Sequence, residues 1–286
     1  MAIVSEAAVM PDTAPVRPTI IGPARWALGP KLRELWDFRD LFYFFIWRDV
    51  KVRYAQSVLG VGWAIVQPLV PMIIFTIVFG TVARIESDGH PYALFSIAAL
   101  VPWTYFSNAL SDASGSLVKE SAMLSKIYFP RLIIPFTAVL GRLLDLAISF
   151  VVLVALMLWY GVAPTAYVVV LPALILIALV AAAGLGMWLS ALAVQYRDVK
   201  HALGFVVQFM MYAAPVVYPT SKVPAALQYP YALNPMVGVI EGFRSALLGS
   251  PMRWDFIAIA AVTSLAMFWV GAVYFVRREP VFADVA

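Results

Sequence analysis

From Leu146 to Tyr196 the chain runs for 51 residues without an Asp, Glu, Lys or Arg. A helix crosses a hydrocarbon core of ~30 Å in about 20 residues, so this run is too long for one crossing and long enough for two. Tyr160-Gly161-Val162-Ala163-Pro164-Thr165 supplies the break between them. Further charge-free runs cover residues 54–83, 89–111, 201–221, 223–240 and 256–276. In 223–240, Pro224, Pro230 and Pro235 would break a straight helix, so that stretch is expected to re-enter or lie on the surface. The fold expected is an all-α polytopic membrane protein with six transmembrane helices at 61–83, 92–111, 132–159, 166–194, 202–219 and 255–276. An N-terminal amphipathic interface helix and two outer re-entrant half-helices complete it.

Composition supports lipid as the solvent: 63% of the 286 residues are hydrophobic and 13% are charged, about half the charged share of a soluble domain. The absence of cysteine excludes disulfides, thiol catalysis and cysteine-ligated metal centres. Two histidines, His90 and His201, leave little for a metal site, although Asp198 precedes His201 by three residues. No metal ligand set is expected. No G-x-x-x-x-G-K-[ST] and no G-x-G-x-x-G occurs, so no known phosphate-cradling loop is present and no cofactor is expected on this chain. No basic stripe outside the spans points to nucleic acid.

Orientation follows from the placement of Lys and Arg. With the N-terminus inside, fifteen of them (Arg17, Arg25, Lys31, Arg33, Arg39, Arg48, Lys51, Arg53, Lys119, Lys126, Arg131, Arg197, Lys200, Arg277 and Arg278) are cytoplasmic. Four (Arg84, Lys222, Arg244 and Arg253) lie opposite, and Arg142 falls within a span. This bias places both termini in the cytoplasm. Residues 1–30, with five prolines and no basic start leading into an apolar core, are expected to be a disordered cytoplasmic tail, and 279–286 a second tail.

Residues 31–53 mix Leu32, Leu35, Trp36, Phe42, Phe45 and Ile46 with alternating charges, the pattern of a helix lying in the interface among lipid headgroups. It could be an anchor or a moving element. Between spans two and three, Leu117, Met123 and Leu124 alternate with Lys119, Glu120 and Lys126 before Pro130. That reads as a short helix, either docking a cytosolic partner or merely solvated. On the outer side, Asn234 as N-cap, Pro235 at the first helical position and Gly249 as stop delimit an amphipathic helix in which Glu241 and Arg244 can neutralise each other.

Inside span three, Arg142 and Asp145 stand i to i+3 and are expected to pair, as a self-neutralised bridge or on a water-lined path. Phe205, Gln208, Phe209 and Tyr212 share one face of span five, and Trp63, Gln67, Phe75 and Phe79 fall loosely on one side of span one. Such faces can bind the C–H faces of sugar rings or simply pack helices. Glu86 and Asp88 form an outer acidic pair that could serve a membrane-embedded glycosyl or acyl transferase, or be a solvated turn. A structural assembly protein is a third class.

Four ordered motifs carry a resemblance: Ser57-Val-Leu-Gly60-Val-Gly62-Trp63 through Gln67-Pro68-Leu69 to Phe79-Gly80; Lys126-Ile-Tyr-Phe-Pro130-Arg131; Gln195-Tyr-Arg197-Asp198; and Leu233-Asn234-Pro235-Met236 to Glu241-Gly-Phe-Arg244. Over residues 31–278 the chain resembles the membrane permease subunit of bacterial ABC type-2 exporters of polysaccharide, such as O-antigen and other lipid-linked glycans. The resemblance implies a homodimer in the inner membrane with two ATP-binding cassette subunits, which would hold the ATP and Mg, and a lipid-linked glycan substrate. It implies an interface helix over 31–50 and ATPase coupling over about 114–127, with Leu117, Lys119, Glu120, Met123 and Lys126. It also implies a channel lined by Trp63, Gln67, Phe75, Phe205, Gln208, Phe209 and Tyr212, and an outer gate over 223–249 with Tyr218, Asn234, Pro235, Glu241 and Arg244. Permeases for teichoic acid, capsule or drugs are alternatives within the same superfamily. The resemblance implies no role for Arg142.

Overall fold

The computed structural model describes residues 36–55, 60–124, 129–196, 198–279 and 282, among which every regular element is a helix and none is a strand. The tail 1–30, the start of the interface helix, Lys126 and Arg197 lie outside the described residues.

Helix α1 (Arg39–Ala55) forms within the stretch expected to be the interface helix, with Phe45 buried and Tyr43, Phe44 and Trp47 exposed. Helix α2 (Gly62–Phe75) continues into a π-helical turn, Thr76–Val82, so span one is one continuous rod. Pro68 lies inside it and lacks the N–H that would bond the carbonyl of Ala64. The Ser149 hydroxyl donates to that carbonyl at 2.9 Å, replacing the lost bond from a neighbouring helix.

Helix α3 (Tyr92–Lys119) is the buried axis of the fold, packing against five of the other long helices. Span two therefore runs to Lys119 rather than 111. The expected separate helix over 114–127 is reduced to α4 (Ser121–Leu124), because Ala113, Ser114, Ser116 and Leu117 are buried and hold the last turns of α3 in the bundle. Span three is broken in two at Arg142, into α5 (Ile133–Gly141) and α6 (Leu143–Tyr160). A left-handed Gly161 (φ 68°) ends α6, at the break expected from the sequence.

Thr165 opens the next span, donating its hydroxyl to the carbonyl of Ala246 (2.9 Å) before a 3-10 turn, Ala166–Val170, and α7 (Leu171–Gln195). Helix α7 presents Ala181, Ala182, Ala183, Gly184 and Gly186 to the core. Small residues let backbones meet without side chains between them, the usual solution where lipid gives helices no hydrophobic drive to associate. A Cβ on Gly271 of α11 (Trp254–Arg278) would stand 2.0 Å from the carbonyl oxygen of Gly184.

The expected fifth span, 202–219, is helical only as α8 (Val199–Tyr212). Its 14 residues reach about 21 Å, short of a full crossing. Pro215 disfavours helix in the residue before it and donates no hydrogen bond, so the chain leaves the helix at Ala213 and turns back into the bundle, burying Ala214, Val216 and Val217. Five helical segments among the described residues are long and apolar enough to cross a membrane: 62–82, 92–119, 133–160, 166–195 and 254–278. After a 3-10 turn, Thr220–Lys222, two short helices follow, α9 (Ala225–Ala232) and α10 (Pro235–Leu248). Asn234 Oδ1 accepts from Met236 N at 3.1 Å and Gly249 takes the left-handed conformation (φ 92°), the cap and stop that the sequence marks.

Candidate functional sites at the two ends of the bundle

At the α1 end, charged side chains from four elements meet. Arg142, at the break in span three, donates from Nε to Asp112 Oδ2 of α3 (2.7 Å) and from Nη1 to Asp145 Oδ2 of α6 (2.8 Å). The expected Arg142–Asp145 pair is thus present, inside a larger lattice. Arg53 of α1 bonds the same two carboxylates, at 3.1 Å to Asp112 and 3.2 Å to Asp145, and also donates to the carbonyl of Gly141 (3.1 Å). The Tyr54 hydroxyl donates to Asp145 as well. Two guanidinium groups thus face two carboxylates, an arrangement with no net charge, which is how ionised groups persist where water is scarce. Arg53 and Asp49 are the nearest neighbours of Gly141, at ordinary van der Waals distance from where a Cβ would stand.

One turn back along α1, Arg48 pairs with Glu120 (2.6 Å) and Asp49 (3.1 Å). The interface helix is therefore tied both to the head of α4 and to the broken span. Two cavities of about 210 Å³ flank the lattice, one reaching Lys119 and Glu120, the other reaching Trp63 and Gln67.

Among the residues expected to couple to an ATPase, Lys119 is exposed, Met123 is half-buried and Glu120 is held by Arg48. Leu117 is 1% exposed and packs in the core rather than facing outward. Lys126 lies outside the described residues. Of the expected channel face, Phe205, Gln208, Phe209 and Tyr212 are exposed together along α8. On α2, Trp63 is half-exposed, Gln67 accepts from Asn108 Nδ2 (2.8 Å), and Phe75 meets Phe79 edge-on at 5.6 Å.

At the opposite end, Tyr92 and three of the residues expected at an outer gate hold the backbone where α8 ends and the non-helical segment begins. Tyr218 donates to the carbonyl of Tyr212 (2.8 Å), Asn234 to that of Ala213 (2.9 Å), Arg244 to that of Val216 (3.2 Å) and Tyr92 to that of Val217 (2.6 Å). Backbone outside a helix is tolerated within a membrane protein only when its polar groups are satisfied by protein in this way. Arg244 is 2% exposed, also donates to Phe95 O (3.3 Å) and lies 3.4 Å from the centre of the Phe95 ring. The expected Glu241–Arg244 pair forms at 3.5 Å, and Glu241 accepts from Thr220 Oγ1 (2.6 Å). Pro235 is buried at the start of α10. Glu86 lies exposed beside Lys222 (2.6 Å), whose hydrogen bond and charge hold its carboxyl below its ordinary range, and Asp88 sits in a left-handed turn (φ 50°).

Sequence reasoning missed Arg53, Tyr54 and Asp112. The available signal was positional: Arg53 stands immediately before the charge-free run 54–83 and Asp112 immediately after the run 89–111. Both therefore fall at one level of neighbouring spans.

The family description of the ABC-2 type transporter matches residues 40–248, from α1 through α10. The chain is 29% identical to the O-antigen export system permease protein RfbA of Myxococcus xanthus over 257 residues, covering 88% of this chain and 98% of that one. It is 26% identical to the protein of the same name in Klebsiella pneumoniae over 247 residues, covering 86% and 95%. It is 22% identical to the polysialic acid transport protein KpsM of Escherichia coli over 240 residues, covering 81% and 91%. With five helical segments among the described residues long and apolar enough to cross a membrane, and a family match spanning most of its length, this chain is a multi-pass membrane protein that belongs to the ABC-2 type transporter family.

Proposed function

We propose that the chain is the membrane-spanning subunit of an ATP-driven exporter that moves a lipid-linked polysaccharide of O-antigen type across the bacterial inner membrane. Two copies form the channel, two separate ATP-binding subunits supply ATP and Mg, and both termini are cytoplasmic. The observation that carries this reading is the near full-length similarity to permeases named for O-antigen export and polysialic acid transport. The exposed Phe205, Gln208, Phe209 and Tyr212 face supports it, because aromatic rings beside an amide offer the apolar faces and hydrogen bonds that a sugar chain can slide along. The chain itself performs no chemistry in this account. Its work is to open a path and to receive motion through Lys119, Glu120, Met123 and Lys126.

Removal of the chain from its host tests the reading. Lipid-linked glycan should accumulate inside the cell and disappear from the surface, as read by a lectin on intact and on permeabilised cells. Undiminished surface glycan would overturn it. The similarity to the polysialic acid transport protein supports a second reading, export of an acidic capsule-type polymer. Sugar analysis of the accumulated glycan separates the two.

A further inference from the structure

We infer that the outward side of the α7–α11 pair carries a binding site for one anionic phospholipid of the bilayer, independent of what the chain transports. The two helices lie side by side and run in the same direction. Gly184 meets Phe268 and Gly271, and further along Met187 and Ala191 share a core cluster with Ala272, Phe275 and Val276. Their close crossing leaves a groove of about 340 Å³ beside it, lined by Leu185, Trp188, Ala266, Met267, Val270 and Gly271. These side chains offer almost nothing polar, and no element among the described residues covers them: Trp188 is 40% and Val270 59% exposed. Both helices are of membrane-spanning length and hydropathy, so hydrocarbon is the medium that meets this groove.

The groove has a polar end. Met267, Gly271, Tyr274 and Arg278 stand at i, i+4, i+7 and i+11 on α11, so one stripe leads from the groove to an aromatic ring and then to a guanidinium. Arg278 lies over the Tyr274 ring at 5.6 Å, and Arg277 is exposed beside it. The ion pairs among the described residues include neither arginine. From Gly271 to Arg278 the rise is roughly 10 Å. That is the separation of an upper acyl chain from its phosphate. The occupant is a lipid whose chain fills the groove while its phosphate meets Arg277 and Arg278; a zwitterionic headgroup brings its own cation beside that phosphate, so an anionic headgroup is favoured.

The test is native mass spectrometry of the intact transporter released from nanodiscs containing equal phosphatidylglycerol and phosphatidylcholine. The wild type should retain phosphatidylglycerol at about one per chain and at least five-fold over phosphatidylcholine. Arg277→Gln with Arg278→Gln should lower that retention roughly five-fold per arginine. Ala266→Phe, which fills the groove from an exposed position, should remove it while melting temperature and assembly stay those of wild type. Equal retention of the two lipids, unchanged retention in Ala266→Phe, or retention of a polyprenyl phosphate in place of phospholipid would overturn the inference.

Discussion

Arg53 Nη1 lies 3.2 Å from Asp145 Oδ2, joining the interface helix to a membrane-spanning helix 92 positions further along the chain. The same guanidinium reaches Asp112 and the carbonyl of Gly141, so one side chain holds α1 against the break in span three and against the central helix α3. Helix α1 is thereby joined to spans two and three.

Removing Arg53 should therefore cost more than an exposed ion pair. Arg53→Ala leaves Asp112 and Asp145 facing Arg142 alone and is expected to destabilise the protein by about 2 kcal/mol, the group being about four-fifths buried. Thermal unfolding in detergent reads the loss. The Arg53→Ala/Asp145→Asn double variant should lose less than the sum of the two single variants.

The link between Arg48 and Glu120 ties α1 to the segment proposed to receive motion from the ATPase. Arg48→Glu and Glu120→Arg should each impair ATP-driven export and, the pair being largely buried, destabilise the protein by about 2 kcal/mol. The double exchange should recover export. Normal export in both single variants would detach this pair from coupling.

The hydroxyl of Ser149 does for α2 what the backbone of Pro68 cannot. Ser149→Ala is expected to cost about 1–2 kcal/mol by stranding the carbonyl of Ala64. In a Pro68→Ala background, where the helix supplies its own bond, the same change should cost less. A double-mutant cycle on unfolding midpoints measures the difference.

At the α7–α11 crossing, Gly271→Ala places a methyl group 2.0 Å from the Gly184 oxygen and must push two backbones apart. A loss of about 3 kcal/mol or more is expected. Gly115→Ala is the control: it has open space around it and should be neutral or slightly stabilising by helix propensity. Unfolding midpoints of both variants, set against the wild type, check the pair.

These features were unequally legible. Charge-free runs located the spans, and Asn234, Pro235 and Gly249 marked α10 to the residue, because both signals are local. The Arg142–Asp145 pair was legible for the same reason, being one helical turn apart. Arg53 and Asp112, the other half of the lattice, are contributed by distant stretches, and no period in the sequence joins them. The short α8 was missed because Ala213-Ala214-Pro215 is as apolar as a span; a hydropathy run cannot tell a crossing helix from backbone folded back into the bundle. Leu117 was misplaced because its charged neighbours suggested an exposed helix, whereas α3 continues through it with one face still buried.

Arg244 is a buried side chain that holds the non-helical segment through the carbonyl of Val216. Arg244→Met should strand the carbonyl of Val216, which lies outside a helix, and leave Glu241 without its cation, at about 3 kcal/mol. Hydrogen exchange over residues 213–217 should rise before the remaining helices are affected. Unchanged exchange there would separate Arg244 from the segment.

Native mass spectrometry of the chain, purified through an affinity tag in mild detergent from its own host, tests the central claim most directly. The account predicts a complex of two copies of this chain with two ATP-binding subunits. A lone chain that carries no ATPase, even after gentle solubilisation and lipid replacement, would contradict it.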